Sequence, residues 1–378
     1  MMNAQVVKTR ARELGFDFAG IIRAEPSPTL DAYLRWIAAG LHGAMAYMAR
    51  PDRVARRRDL NVMVPGARSL VIVGLDYSTF AVPPDVLNDP SRGRIAAYAW
   101  GVDYHDVMTP RLEQLAAEMR AMLGADIRYR VYVDTGAVLE RSHAEQAGFG
   151  FVGKNTMLIH PRRGSNFFIG EIISDIEFDV YDKPRPSPTC GHCTRCLNAC
   201  PTGAFPAPYV LDARRCISYH TIENQGWIDR DLREKFGNWV YGCDICQDIC
   251  PFQRFAQPTG EPCFYPLDVD RAAPKLLDLL VLDDDSFKAG YHDSPIIRIK
   301  RQRLVRNACI AAGNWGEANA VPALINLLED TSSLVRGHAA WALGRIMGRD
   351  AAPWLAATLE RETDNAAREE IAVVLQTL

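Results

Sequence analysis

The residues best equipped for chemistry are cysteines. CGHCTRCLNACP, residues 190–201, places Cys190, Cys193 and Cys196 at two-residue intervals, then Cys200 after three more, with Pro201 behind it. YGCDICQDICP, residues 241–251, supplies Cys243, Cys246, Cys250 and Pro251 but lacks a cysteine at its front, which Cys216 in RRCISYH can provide. A cubane iron–sulfur cluster needs four thiolates around a compact core. One tight loop can give three of them, so the fourth must come from elsewhere in the chain. By the rule that the last cysteine of each run serves the other cluster, Cys190, Cys193, Cys196 and Cys250 hold one [4Fe-4S] cluster. Cys200, Cys216, Cys243 and Cys246 hold the second. Two zinc sites are the bland alternative, since paired Cys-x-x-Cys also describes zinc ribbons. Zinc leaves unexplained both the third cysteine at the same interval and the proline after each run. Cys263 and Cys309 read as packing residues.

Two clusters move single electrons, and the rest of the chain must use them. Its 378 residues suit two or three domains, and 48% hydrophobic with 24% charged residues is an ordinary globular composition. With 43 Lys plus Arg against 46 Asp plus Glu, bulk charge gives no argument for nucleic acid, so any such surface must be local. The start, MMNAQVVKTRARELGFDFAGII, lacks the apolar core of a secretory signal, and no later stretch is long and apolar enough to span a membrane. A cytoplasmic address is expected, where dense thiols serve metals or catalysis rather than disulfides.

Residues 1–175 alternate helical and strand patterns. Ser27 and Pro28 open a helix with Leu30, Leu34, Ile37 and Leu41 on one face; Thr109 and Pro110 open another with Leu112, Leu115, Met119 and Leu123. SLVIVGLDY at 69, DIRYRVYVD at 126 and NFFIGEIISDI at 166 read as strands, so this part is expected to be an α/β layer domain. KPRPSPTC, 183–190, is a proline-rich loop into the cysteine region of 176–266. A helical linker, 267–296, leads to a repeat over 297–378: LVRNACIAAGN at 304 recurs as LVRGHAAWALGR at 334, and AVPALINLL at 320 as AAPWLAATL at 351. Stacked helical pairs of the HEAT kind follow.

These parts together resemble the epoxyqueuosine reductases, over nearly the whole chain. The resemblance is carried by PGARSLVIVGLDY at 65, AYAWGVDYH ending at His105, VDTGAVLERSHAEQAGFGFVGKNTMLI at 133–159, both cysteine runs, and SPIIRIKRQRLVRNACIAAGNWG from 294. It implies a multidomain α+β protein: an N-terminal cobalamin-binding α/β domain of the reductive-dehalogenase kind, a ferredoxin-like two-cluster domain and a HEAT-like tail. It also implies that electrons pass through the clusters to a base-off cobalamin, whose cob(I)alamin state attacks the epoxide of the modified base. Ring opening and loss of water leave queuosine.

Asp134 matches the family's proton donor; from the residues alone, a cap at a strand-to-helix junction is the alternative. A carboxyl that donates at neutral pH needs a raised pKa, which burial against the corrin would supply. The resemblance places Tyr104 and His105 in the same pocket. Asp103 and His105 fit part of an Asp-x-His-x-x-Gly cobalt-ligating pattern, but Met108 stands where the glycine belongs, so no protein His ligand to cobalt is expected. Cofactor contacts are implied for Arg57, Asp134, Lys154, Asn155, Glu171, Asp244 and Ile245. The Arg57 run, with Arg50, Arg53, Arg56 and Arg58, otherwise reads as a solvated face.

Arg298, Lys300, Arg301, Arg303 and Arg306 cluster within nine residues, and Arg336 and Arg345 extend the charge one repeat on. With the resemblance, Arg298, Lys300, Arg301, Arg303, Arg306 and Arg336 are expected to grip the stem of a tRNA carrying epoxyqueuosine at the anticodon wobble position. A low-potential electron donor, no membrane and a monomeric state complete the expectation. Two other readings remain: a corrinoid dehalogenase-like enzyme acting on a small molecule, against which stands the absence of a twin-arginine signal, and a non-catalytic electron carrier, for which the α/β part would be superfluous.

Overall fold

The structure, a computed structural model, describes residues 1–186 and 188–378. The chain divides into two compact units that do not follow the sequence boundaries. The first comprises 1–79, 102–214 and 245–264; the second comprises 80–101, 215–244 and 265–378. The expected cysteine domain, 176–266, is thus shared: Cys190, Cys193, Cys196, Cys200, Cys246 and Cys250 belong to the first unit, Cys216 and Cys243 to the second.

The strands are β1 (Phe18–Arg23), β2 (Ser69–Asp76), β3 (Arg94–Ile95), β4 (Tyr129–Val133), β5 (Phe151–Val152), β6 (Leu158–Ile159), β7 (Phe167–Ser174) and β8 (Trp239–Tyr241). The first unit is built on the sheet β1-β2-β7-β4, every pair of which is antiparallel. Alternating helices and strands therefore do not form a parallel layer here. Strand β1, FAGIIR, was not among the expected strands; Gly20 lies so close to Ala147 that a Cβ there would meet the Ala147 methyl at 2.9 Å. All eight residues of β2 are buried because both faces of the sheet are covered. On one face the helix Tyr104–Leu123 packs so tightly that a Cβ on Gly170 would come within 2.7 Å of Leu112. On the other, Phe167 and Ile173 join Ile72, Val138, Ala144 and Ala147 in an apolar cluster that includes the helix Glu140–Gln146.

One local expectation is corrected. The Tyr104–Leu123 helix starts before Thr109, because the Asp103 side chain accepts the His105 N–H at its N-terminus; Pro110 lies inside the helix. Apart from Ser187, which lies outside the described residues, 183–190 contains neither helix nor strand, as the prolines require.

The second unit pairs β3 and β8 in parallel and continues into helices. Within it, Lys300–Trp315 packs against Ser333–Met347, the two repeated segments, and Gly313 is needed there: a Cβ would meet the Trp341 ring at 2.6 Å. Val321–Leu327, Ala352–Arg361 and Asn365–Thr377 complete the stack.

Candidate redox and acid–base site

Strand β4 ends at Val133, and the chain reverses at once. Thr135 N–H donates to the Val133 carbonyl at 2.6 Å around Asp134, whose φ is +58°. A left-handed φ is costly for most side chains and easier for Asp and Asn. The next helix begins only at Glu140, and its N-terminus receives no side-chain cap. Asp134 is therefore not a helix cap. Its carboxylate accepts from the Tyr104 hydroxyl at 3.1 Å, and Tyr104 is fixed by stacking on Phe168 at 4.2 Å and 9°. Such a stack adds about 1 kcal/mol to the burial of the rings. Next to Tyr104, His105 pairs through Nδ1 with Asp103 at 2.6 Å, which leaves Nε2 buried and unbonded. A carboxylate can only accept, so Nδ1 is the donor to Asp103. Asp134 itself is solvent-exposed against the protein alone. The burial expected around this carboxyl is not supplied by the chain.

Behind this turn lies a group of polar atoms with no protein partner. Glu171, at the centre of β7 opposite Ile72 and Tyr132, is fully buried, and neither carboxylate oxygen accepts a hydrogen bond. His143 lies 3.6 Å from it, beyond hydrogen-bond range, with both ring nitrogens unbonded. Glu140 Oε1 is enclosed and unbonded; burial, then the charges of Asp134 and Glu171, push its carboxyl well above the usual carboxylate range. Arg57 is 5% exposed with its guanidinium over the Tyr33 ring at 5.0 Å and its Nε unbonded; burial lowers its pKa. It is not part of a solvated face. Buried polar groups are normally satisfied, so such a concentration marks a place for a polar ligand. A corrin rimmed with amide side chains offers both donors and acceptors and fits these residues. Glu140 and His143 were not singled out in the sequence, though a carboxyl and an imidazole three apart in ERSHAEQ share one helix face.

The thiols of the first unit form the second feature. Burial raises the Cys196 thiol, and Cys190 and then Cys250 add to it; burial also raises Cys250, with Cys190 and Cys193 adding. The two short helices Arg195–Ala199 and Ile245–Asp248, which carry Cys196 and Cys246, pack together and bring the two cysteine runs into one neighbourhood. Backbone amides point at sulfur: Lys154 N–H donates to Cys190 Sγ at 3.4 Å and Ala204 N–H to Cys200 Sγ at 3.3 Å. Among the described residues no disulfide ties any of the ten cysteines. A thiol set with amide donors to sulfur fits a cubane.

Lys154 and Asn155 stand in the expected turn before β6, but their side chains serve the cysteine loops. Lys154 Nζ donates to the carbonyls of Gly191 (2.7 Å) and Cys193 (3.0 Å), and Asn155 Nδ2 to that of Cys246 (3.0 Å). Ile245 is half-buried at the head of its helix; in the second unit, Asp244 is buried and accepts the Ala97 N–H at 2.6 Å.

The basic segment needs correction. Arg306 is completely buried and Arg303 is 9% exposed, both bonded to backbone carbonyls, so neither can face a phosphate. Arg301 is paired with Asp330 at 2.6 Å and Arg336 with Glu362 at 2.5 Å, while Arg345 pairs with Glu234 at 2.6 Å. Arg298 and Lys300 are exposed. Helical periodicity identified a common face; it did not reveal that much of that face turns inward.

Three family models match in succession: "Epoxyqueuosine reductase QueG, DUF1730" over 57–135, "4Fe-4S double cluster binding domain" over 189–253, and HEAT repeats over 300–376. The chain is 43% identical over 345 residues to the epoxyqueuosine reductase of Xanthomonas campestris pv. campestris, covering 90% of this chain and 95% of that one. Its fold is similar to an epoxyqueuosine reductase crystallised with an epoxyqueuosine-modified tRNA-Tyr stem loop, at TM-score 0.90 and 32% identity over 99% of this chain and 98% of that one. It is similar also to the Bacillus subtilis epoxyqueuosine reductase with its catalytic Asp loop swung out of the active site, at TM-score 0.88, 32% identity and the same coverage. Identity of this extent, spread over nine-tenths of the sequence, shows that the chain belongs to the epoxyqueuosine reductase family.

Proposed function

We propose that this chain reduces epoxyqueuosine to queuosine in tRNA, with Asp134 as the proton donor. When bound, two [4Fe-4S] clusters supply single electrons and a base-off cobalamin supplies a strong cobalt nucleophile for the epoxide carbon. Cys190, Cys193, Cys196 and Cys250 hold the first cluster, and Cys200, Cys216, Cys243 and Cys246 the second. Arg57, His105, Glu171, Asp244 and Ile245 hold the corrinoid. Tyr104 orients the Asp134 carboxyl, so that its proton can reach the epoxide oxygen as the ring opens. Glu140 lies beside this carboxyl, its own held well above the usual carboxylate range by burial and then by the charges of Asp134 and Glu171.

The observation that carries this reading is Asp134 itself, held in a left-handed turn and tethered to a stacked tyrosine, in the unit that also carries Cys190, Cys193, Cys196 and Cys250. Lys300 and Arg298 contact the backbone of the tRNA stem. Anaerobic reconstitution with iron, sulfide and cobalamin tests the cofactor assignment: iron for two clusters and a base-off corrinoid spectrum are expected. Stoichiometric zinc, or no corrinoid retained, would overturn it.

A further inference from the structure

Arg306 is the most anomalous charge in the molecule. It is 0% exposed, yet among the described residues no carboxylate pairs with it, and the charges that act on it are those of Arg303 and Arg233, both cations. Glu370, the acid of that region, is taken by Arg230 and Arg233 at 2.7 and 2.6 Å. A buried guanidinium without a counter-charge is expensive to keep. Its hydrogen bonds show what it is kept for. Nη2 donates to the His220 carbonyl at 2.6 Å, Nη1 to those of Asn224 (2.8 Å) and Gly226 (2.7 Å), and Nε to Asn307 Oδ1 at 3.0 Å. Asn307 Nδ2 in turn donates to Thr221 O at 3.0 Å and Val240 O at 2.8 Å, and Arg303 Nη1 to Ile222 O at 2.6 Å.

These carbonyls belong to two segments. One is the helix Ile217–Ile222 with the turn that follows it to Gly226; its N-cap residue is Cys216, and its last carbonyls have no partner within the helix. The other is β8, which runs into Gly242 and Cys243; the Gly242 N–H donates to Thr221 Oγ1 at 3.0 Å and ties the two together. His220 is four residues, about 6 Å of helical rise, from Cys216. A single turn of the Lys300–Trp315 helix therefore holds both cysteine-bearing segments of this unit and sets an uncompensated cation behind them. A four-thiolate [4Fe-4S] cluster is anionic in both states and gains one more negative charge on reduction.

We propose that Arg306, with Arg303 and Asn307, positions Cys216 and Cys243 and is the counter-charge of the second cluster, raising its reduction potential. The inference rests on the two-cluster reading above and deepens it: the first helix of the repeat region sets the poise of a cluster. A cation near the site stabilises the more negative, reduced state, so its removal lowers the potential.

The test is an EPR-monitored redox titration of the anaerobically reconstituted full chain carrying Arg306→Gln or Arg306→Lys. Both variants lose the guanidinium fork, but only the first loses the charge. The expected result is a lower potential for one cluster in Arg306→Gln, the other cluster unmoved, and a potential near wild type in Arg306→Lys. Unchanged potentials in both variants, or equal shifts in both, overturn the proposal by assigning the array to folding alone. If Arg306→Gln does not assemble both clusters, Arg303→Gln against Arg303→Lys reads the same charge effect, and equal potentials in that pair overturn it. A wild-type chain with fewer than two [4Fe-4S] clusters defeats the underlying reading instead, which iron and sulfide content reports separately.

Discussion

Replacing Asp134 by asparagine separates proton donation from architecture. The backbone cost is small, because Asn tolerates a left-handed φ about as well as Asp, and φ here is +58°. The contact cost is small too: Tyr104 O–H can donate to the amide oxygen as it does to the carboxylate at 3.1 Å. Asp134 is exposed and caps no helix, so Asp134→Asn should change stability by no more than about 0.5 kcal/mol. The amide cannot release a proton to the departing oxygen. Loss of a positioned general acid typically costs 10²–10⁴-fold, about 3–5 kcal/mol of barrier, and should fall on kcat rather than on tRNA affinity. The assay is anaerobic single-turnover reduction of an epoxyqueuosine-containing stem loop, followed by nucleoside mass measurement, with melting temperature and cluster content measured on the same preparation. A variant with intact cofactors that turns over within about threefold of wild type, against the 10²-fold minimum expected, would refute the proton-donor role.

Other outcomes follow from the same geometry. Lys300→Glu, at an exposed position, should weaken stem-loop binding at low salt and reduce the salt slope by about 1; an unchanged slope in filter-binding titrations would remove Lys300 from the interface. Glu370→Ala strips the buried Arg233 of its partner and should destabilise the second unit by about 3 kcal/mol in chemical denaturation; a loss below about 1 kcal/mol would contradict the ion-pair argument. His160 is held down to about 4 by burial and then by Arg163, Arg162 and Arg185, and its Nδ1 accepts the Arg162 N–H at 3.2 Å. The unfolded chain takes up this proton near pH 6.5 while the native state refuses it until about 4, so stability falls as pH drops through that window. Discounted for partial exposure, the loss between pH 7 and 5 is about 1–2 kcal/mol, and His160→Gln should flatten that limb of the melting profile. An unaltered acid limb would show that His160 is not its source.

The chemistry was more legible in the sequence than the surfaces. Eight cysteines at fixed intervals constrain a cluster whatever surrounds them, and SLVIVGLDY and NFFIGEIISDI have compositions that only buried strands satisfy. Strand direction was not legible, because antiparallel pairing of β2 with β7 is set by how the chain returns across 77–166, not by either strand's residues. Nor was the fate of the arginines. In KRQRLVRN, Lys300 and Arg306 look alike, yet one meets solvent while the other satisfies carbonyls from residues 220–226, eighty or more positions earlier. The acid–base neighbourhood was half visible. Asp134 stood at the end of a strand pattern, whereas Glu140 and His143 acquire meaning only when Glu171 is found buried opposite them.

The most direct test is the product itself. The reconstituted protein, incubated without oxygen with reductant and epoxyqueuosine-containing tRNA, should yield a nucleoside lighter by one oxygen atom, in amounts that depend on added corrinoid. Recovery of unaltered epoxyqueuosine from a chain shown to carry both clusters and cobalamin would contradict the assignment.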